Sequence, residues 1–208
     1  MVQDAYDYGM TTAKSIICAA NLSERNAIID TLAQAFQDDP AMCWILPDPA
    51  ARAKCLPRMF SIIVPLDFAS GTVLHSPEHE VATLWRAPGQ AETSTWTMMR
   101  HAIPLLRAFG FSLGRAMTIG DAIDAHHPKG FDYSYLHYAA VRPDHQGKGW
   151  GGAAIRAGIA QAEAMGKPAY LETATLSNVG LYQRFGFEVT GEWDVTRSGP
   201  HFWSMLRR

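Results

Sequence analysis

Apolar positions recur along this chain at two periods, near 3.6 and near 2, and each change of period marks an element boundary. Residues 15–20 form a short apolar run that reads as a strand. Ser23 can then cap a helix over residues 24–36, with Ile28, Leu32 and Ala35 on one face, and Asp38-Asp39-Pro40 ends it. A second helix is expected over residues 50–68, with Pro57 and Pro65 blurring its boundaries. Ser70-Gly71 and Ser76-Pro77 bracket a strand at residues 72–75, and residues 81–86 alternate as its hairpin partner. After a loop at residues 87–92, helical patterns cover residues 93–109 and 113–125, separated near Gly110. His126-His127-Pro128-Lys129-Gly130 is a turn. Residues 133–141 read as a buried strand, residues 153–165 as an alanine-rich helix with Ile155 and Ile159 one turn apart, and residues 168–173 as the next strand. Residues 187–195 and 201–207 close the chain as a hairpin around Arg197-Ser198-Gly199-Pro200. Neither a repeat nor a linker interrupts this order, so a single domain over residues 1–208 is expected.

Composition narrows the class. A chain that is 48% hydrophobic and 18% charged is neither low-complexity nor disordered. Eighteen basic against 20 acidic residues, a formal charge of -2, argue against a nucleic-acid surface, which is normally basic. Cys18, Cys43 and Cys55 are odd in number and have no C-x-x-C spacing, so they read as free thiols in a reducing compartment. Residues 1–10 carry acids and no basic n-region, so a secretion signal is not expected there. No apolar run approaches the roughly 18 residues of a membrane span, and a cytoplasmic protein without a membrane partner is expected.

The chemistry concentrates after the strand at residues 133–141, in Val141-Arg142-Pro143-Asp144-His145-Gln146-Gly147-Lys148-Gly149-Trp150-Gly151-Gly152. Strand, glycine-rich turn, helix is a layout that makes an anion site. The first helical amides have no intrahelical partners, the dipole leaves partial positive charge there, and glycine admits close approach by a phosphate. Lys148 adds a charge at the rim. A plain flexible turn is the simpler reading, but four glycines in six positions exceed what a turn requires. Gly147, Gly149 and Gly152 fit the G-x-G-x-x-G of dinucleotide folds, with Glu172 roughly 20 residues on. Against it, residues 142–146 separate the strand from the glycines and too little chain follows. No Gly-Lys-Ser/Thr triplet supports a Walker loop.

Gln146, Gly149 and Gly151 fill a second pattern, Gln-x-x-Gly-x-Gly. Downstream stands Ser177-Asn178-Val179-Gly180-Leu181-Tyr182-Gln183-Arg184-Phe185-Gly186-Phe187. Together, and in this order, the two motifs resemble the signatures of the GCN5-related N-acetyltransferases (GNAT family). The resemblance covers roughly residues 135–189. The wording Pro143-Asp144-His145-Gln146-Gly147-Lys148-Gly149 and Leu171-Glu172-Thr173 is most similar to the puromycin N-acetyltransferase branch. The resemblance implies an α/β (α+β) fold: a central mixed, mostly antiparallel twisted sheet of about seven strands flanked by helices, splayed between the fourth and fifth strands. It implies acetyl-CoA as co-substrate, no metal, and a small-molecule primary amine as acceptor, an aminonucleoside or similar compound, attacked directly in a ternary complex. The helical stretch at residues 93–127 is expected to shape the acceptor pocket. The alternatives are a non-catalytic acyl-CoA sensor of the same fold and a dinucleotide-binding oxidoreductase.

By the same resemblance, amides of Gln146, Gly147, Lys148, Gly149, Trp150, Gly151 and Gly152 hold the pyrophosphate. Ala139, Ala140 and Val141 offer backbone groups to pantetheine, and an amide around Val141 faces the thioester oxygen. Tyr182 is the candidate general acid for the leaving thiolate; otherwise it is a buried tyrosine with a tethered hydroxyl. Asn178 touches the pantetheine arm or, equally well, caps a helix. Glu172 is the best candidate base, with burial able to raise its pKa, or else pairs with an arginine or the backbone. His137 and Tyr138, on opposite faces of their strand, are further options. Asp121, Asp124 and Asp132 could attract a cation. Phe36 and Trp44 are possible pocket walls by resemblance, although core packing explains either. The adjacent pair His126-His127 diverges and lacks a ligand set, so no metal is expected. Trp193, Phe202 and Trp203 could pair with a second copy in a homodimer, or cover their own sheet.

Overall fold

A computed structural model describes residues 17–92 and 94–208. Its strands are β1 (Cys18–Ala19), β2 (Gly71–His75), β3 (Val81–Arg86), β4 (Ser134–Val141), β5 (Ala169–Thr173), β6 (Glu188–Asp194) and β7 (His201–Arg207). Its helices are α1 (Arg25–Ala35), α2 (Pro40–Ile45), α3 (Pro49–Ser70), α4 (Thr95–Phe109), α5 (Leu113–His126), α6 (Trp150–Ala164) and α7 (Leu176–Gln183). The strands form one seven-stranded sheet in the order β1-β2-β3-β4-β5-β7-β6. Among the described residues β4–β5 is the one parallel pair; the others run antiparallel. This is the mixed sheet expected above. Residues 15–16 of the first expected strand, and the expectation for residues 1–10, lie outside the described residues.

Two layers cover the sheet. On one face α6 buries Ala154, Ile155, Gly158, Ile159 and Ala162 against Trp85 and Leu136. Gly158 sets how closely they meet: a Cβ there would stand 2.0 Å from the Trp85 ring. On the other face α1 and α3 pack Ile28, Leu32, Leu56, Phe60 and Val64, all at 0% exposure. Complete burial of side chains this size stabilises by about 1.5–3 kcal/mol each, so this face anchors the N-terminal half. β6 and β7 bury Trp193 and Phe202, whose rings stack at 4.8 Å, with His126 stacked on Trp193 at 4.1 Å. These two aromatics cover the chain's own sheet; Trp203 is half-buried.

Local expectations differ in four places. Asn21, not Ser23, makes the first cap, through a capping box with Glu24 on a 3-10 turn at Leu22–Glu24. Asp39-Pro40 begins a further helix, α2, because the Asp39 carboxylate accepts from Met42 N and proline fits the first turn. Pro57 and Pro65 do not divide α3, which runs unbroken through both; the buried stripe from Arg52 to Asp67 holds it against the core. Finally, α6 begins at Trp150 rather than Ala153, because Gly149 adopts φ 86° and turns the chain straight into the helix.

Replacing Gly158 by Ala should lower stability by about 1–3 kcal/mol, the usual cost of overpacking. Gly114→Ala, where nothing lies within 4 Å, should be neutral or stabilising. Urea denaturation of both variants checks this, and equal stability of the two would contradict the close α6–β3 approach.

Candidate active site

β4 and β5 pair at two positions only, Ser134 with Ala169 and Tyr135 with Tyr170, and then diverge. The β4 edge facing β5 therefore has no ladder partner beyond Tyr135. A cleft of about 1270 Å³ opens at this divergence. The glycine loop and the start of α6 border it. Gly147 and Gly149 hold φ of 73° and 86°, a region that favours glycine, and Gly149 caps the helix without a side-chain bond. The first intrahelical bond after this cap is Ala153 N to Gly149 O at 3.1 Å, which leaves the amides of residues 150–152 without an intrahelical acceptor. A Cβ on Gly151 or Gly152 would press on Val141 Cγ2 at 3.2 Å or Phe185 Cζ at 3.1 Å. Glycine at these positions avoids that pressure, and the unpaired amides at the helix start suit an anionic group such as a pyrophosphate.

The expected cofactor positions largely converge. Residues 139–141, 146–147 and 149–152 line the cleft, as do Asn178, Glu172 and Tyr182. Lys148 does not: its Nζ donates to Asp144 O at 2.7 Å. Trp150 buries its indole beside Val81 and Ala154, so what it offers an anion is its backbone N–H. Asn178 is the third residue of α7, whose cap is Thr175, so the helix-cap reading of Asn178 fails. One turn later Tyr182 lies on the same face, 7% exposed, with its phenol pushed up to about 12 by burial. Phe36 lines the cleft; Trp44 lies outside it, under the Arg115 guanidinium at 5.7 Å. Asp121 and Asp124 line it too, whereas Asp132 pairs with Lys167 at 3.2 Å.

A β-bulge rearranges β4. Leu84 pairs with Tyr138 and Trp85 with Leu136, leaving His137 without a partner. Alternation resets there, so His137 and Tyr138 do not point to opposite faces. Both turn toward α3: the Tyr138 ring lies 5.2 Å from Phe60, and His137 Nδ1 lies 2.8 Å from Asp67 Oδ2. Asp67 is completely buried and also accepts from Arg86 Nε at 2.7 Å. Burial alone would raise the Asp67 carboxyl, but His137 and Arg86 together hold it below the ordinary range. Burial pushes the His137 imidazole below 6.5; Asp67 pulls the other way, but Arg86 counters part of that pull. A neutral His137 donating from Nδ1 to this carboxylate keeps its Nε2 lone pair for the cleft it lines.

Beside this group lies a second, uncharged one. The Glu172 side chain is 2% exposed, its oxygens have no hydrogen-bond partner, and His127 Nε2 stands 3.4 Å away. Burial pushes Glu172 up to about 8. Burial likewise pushes His127 down to about 4. Sequence reasoning missed Asp67, Arg86 and His127. The one available signal was Asp67 itself, a lone acid within Ile62-Ile63-Val64-Pro65-Leu66-Asp67-Phe68, where a buried charge implies a partner.

Comparison with known proteins agrees with this geometry. Residues 117–187 match the family described as Acetyltransferase (GNAT) family. An uncharacterised N-acetyltransferase of Schizosaccharomyces pombe is 26% identical over 167 residues, spanning 76% of this chain and 68% of the relative. The L-methionine sulfoximine/L-methionine sulfone acetyltransferase of Pseudomonas aeruginosa is 31% identical over 107 residues, spanning 49% of this chain and 62% of the relative. Among solved structures, the histone acetyltransferase HPA2 and related acetyltransferase from Corynebacterium glutamicum aligns with a TM-score of 0.69 and 26% identity, over 92% of this chain and 94% of that one. The polyamine N acetyltransferase of Drosophila melanogaster shares the fold, at TM-score 0.60 and 14% identity over 92% and 98% of the two chains.

A carboxyl raised from 4.5 in the unfolded chain to about 8 in the folded one makes the native state hold the extra proton between those values. Stability should therefore fall across pH 4.5 to 8, by at most about 1.4 kcal/mol per pH unit from this group, and level off above. Glu172→Gln should flatten that part of the curve. Denaturation at several pH values, with an unchanged slope in the variant as the contrary result, tests it.

Proposed function

We propose that the chain is an acetyltransferase of the GNAT family, the family that residues 117–187 match, and that it transfers the acetyl group of acetyl-CoA to a primary amine of a small molecule, by direct attack in a ternary complex. The observation that carries the reading is the single cleft in which the glycine cradle, the unladdered edge of β4, Tyr182 and the Asp67-held His137 meet. Acetyl-CoA supplies an acetyl group already activated as a thioester. The amides of residues 150–152, at the positive end of α6, hold its pyrophosphate. Residues 139–141 offer their free strand groups to the pantetheine amides, and Asn178 borders the same arm. A backbone N–H around Val141 serves the developing oxyanion.

His137 takes the proton from the attacking ammonium. Its Nδ1–H is fixed on Asp67, and Arg86 keeps that carboxylate ionised, so the proton goes to Nε2. Tyr182, protonated at neutral pH, returns a proton to the leaving thiolate. Glu172 is the competing base; its side chain is much less accessible than that of His137, at 2% against 18% exposure. The acceptor enters between α4 and α5 on one side and α1 and α2 on the other. Asp121 and Asp124 border that side and favour a cationic amine, and the apolar residues Leu105 and Phe109 favour an organic body behind it. A small amine also accords with the name of the Pseudomonas relative and with the puromycin-type wording of the loop.

The first experiment is a thermal-shift scan with acetyl-CoA, CoA, NAD and ATP. Acetyl-CoA and CoA at about 100 times their dissociation constants should stabilise the fold by about 2.7 kcal/mol, while NAD should not. Binding with no thiol release from any amine would turn the reading toward a sensor, and a response to NAD alone would overturn it.

The two bases differ in pH dependence. A base must be unprotonated, so kcat rises with pH through its pKa. The limb lies below 6.5 if His137 is the base and near 8 if it is Glu172. His137→Gln and Tyr182→Phe should each lower kcat by about 100-fold or more with acetyl-CoA affinity retained. An unmoved kcat in His137→Gln, together with a limb near 8, would transfer the role to Glu172.

A further inference from the structure

At the end of β2 and in the turn before β3, Glu24, His75 and His79 bring one ligand atom each to within 4.8 Å of one another. None of them lines the cleft. Glu24 Oε1 lies 3.2 Å from His75 Nε2 and 3.7 Å from His79 Nε2. Its other oxygen, Oε2, already accepts from Asn21 N at 2.8 Å, so Oε1 is the atom left over. Cys18 Sγ stands 3.4 Å from the same His75 Nε2. We propose that Glu24, His75 and His79 form a structural zinc site that clamps the first strand and the helix start to the β2–β3 hairpin, and that Cys18, which stands beside His75 but outside the three-residue cluster, turns in to complete it.

The distances suit the ion. Zinc bonds of about 2.0–2.1 Å to nitrogen or oxygen place tetrahedral ligands about 3.3–3.4 Å apart, and a sulfur ligand at about 2.3 Å places its neighbours about 3.5–3.6 Å away. The 3.2 and 3.7 Å contacts bracket the first value, and the 3.4 Å sulfur contact sits close to the second. Imidazole, carboxylate and thiolate together form a borderline donor set that suits zinc and suits magnesium or calcium poorly. Three ligand atoms already converge, and with Cys18 as the fourth no position stays open for substrate, so the role is structural.

Two further features point to a ligand. His79 Nε2 is buried without a hydrogen-bond partner although it faces Glu24. His79 is also the one non-glycine residue with positive φ among the described residues, at 58°. Thr31 Oγ1 donates to His79 O at 2.7 Å and His79 N donates to Ser76 O at 2.9 Å, which fixes the ring stacked on His75 at 4.7 Å. Strained backbone held this way is typical of functional positions. In sequence His75-x3-His79 has the spacing of a zinc half-site, but its partners Cys18 and Glu24 lie some 50 residues upstream, which is why the pattern does not stand out.

The test uses tag-free protein stripped with chelator and titrated with Zn2+, then Co2+. Zinc should bind at about one equivalent and raise the melting temperature by several degrees. His79→Asn removes the imidazole but tolerates positive φ; it should abolish that rise while keeping the melting temperature of the stripped wild type. The Co2+ form should show intense tetrahedral bands together with a thiolate charge-transfer band that Cys18→Ser removes. No zinc-dependent rise, an equal rise in His79→Asn, or a cobalt spectrum lacking either feature would overturn the site. A simple Glu24–histidine ion pair gives the first of these outcomes. The readouts do not involve acetyl transfer, so they stand apart from the proposed activity.

Discussion

A carboxylate with no access to water needs a counter-charge and hydrogen-bond donors, and Asp67 meets this by binding Arg86 on β3 and His137 on β4 at once. Removing one partner of such a buried pair leaves an uncompensated charge and costs about 3–5 kcal/mol. That penalty fixes the position of α3 over the middle of the sheet. It also explains why the bulge in β4 is tolerated: the unladdered residue, His137, is held by Asp67 instead of by β3. Without the bulge His137 and Tyr138 would diverge, and one of them would leave the cleft side. One interaction thus couples helix docking, strand irregularity and the orientation of an imidazole.

The second constraint is the brevity of the β4–β5 pairing. Two parallel pairs suffice to start the strands side by side. Beyond them the strands diverge, and the glycine loop with the start of α6 borders the gap. The gap exposes strand groups next to a helix N-terminus, so unpaired backbone groups of both elements border one cleft. Glycines 151 and 152 let the start of α6 pack close to Val141 and Phe185, where a Cβ would press on both. An apolar layer from α4 and α5 covers the far side, where a low dielectric strengthens each polar contact.

Burial sorts the ionisable groups of the interior by role. Asp67 keeps its charge because it has two donors. Glu172, without a hydrogen-bond partner, holds its proton at neutral pH, and His127 beside it stays neutral. The wall between the strands therefore carries polar groups with little net charge. The Glu24–His75–His79 cluster follows a different logic, since its nitrogens converge on a single carboxylate oxygen at the edge of the sheet.

The local grammar of the chain was legible in the sequence. Alternation and helical spacing located most strands and helices, and the glycine loop with the Asn178–Tyr182 segment located one wall of the cleft, because these features depend on residues close in sequence. Caps and prolines were less legible: Asn21 and Asp39 act through geometry that several neighbouring residues could supply, and tertiary packing overrode Pro57 and Pro65 within α3. Tertiary structure alone decided the acid–base arrangement. Asp67, Arg86 and His137 come from three separate elements, Glu172 meets His127 across a 45-residue gap, and the bulge that directs His137 inward leaves no periodic trace. Long-range electrostatics and the register of a sheet depend on which strands meet, and that is settled only when the chain folds.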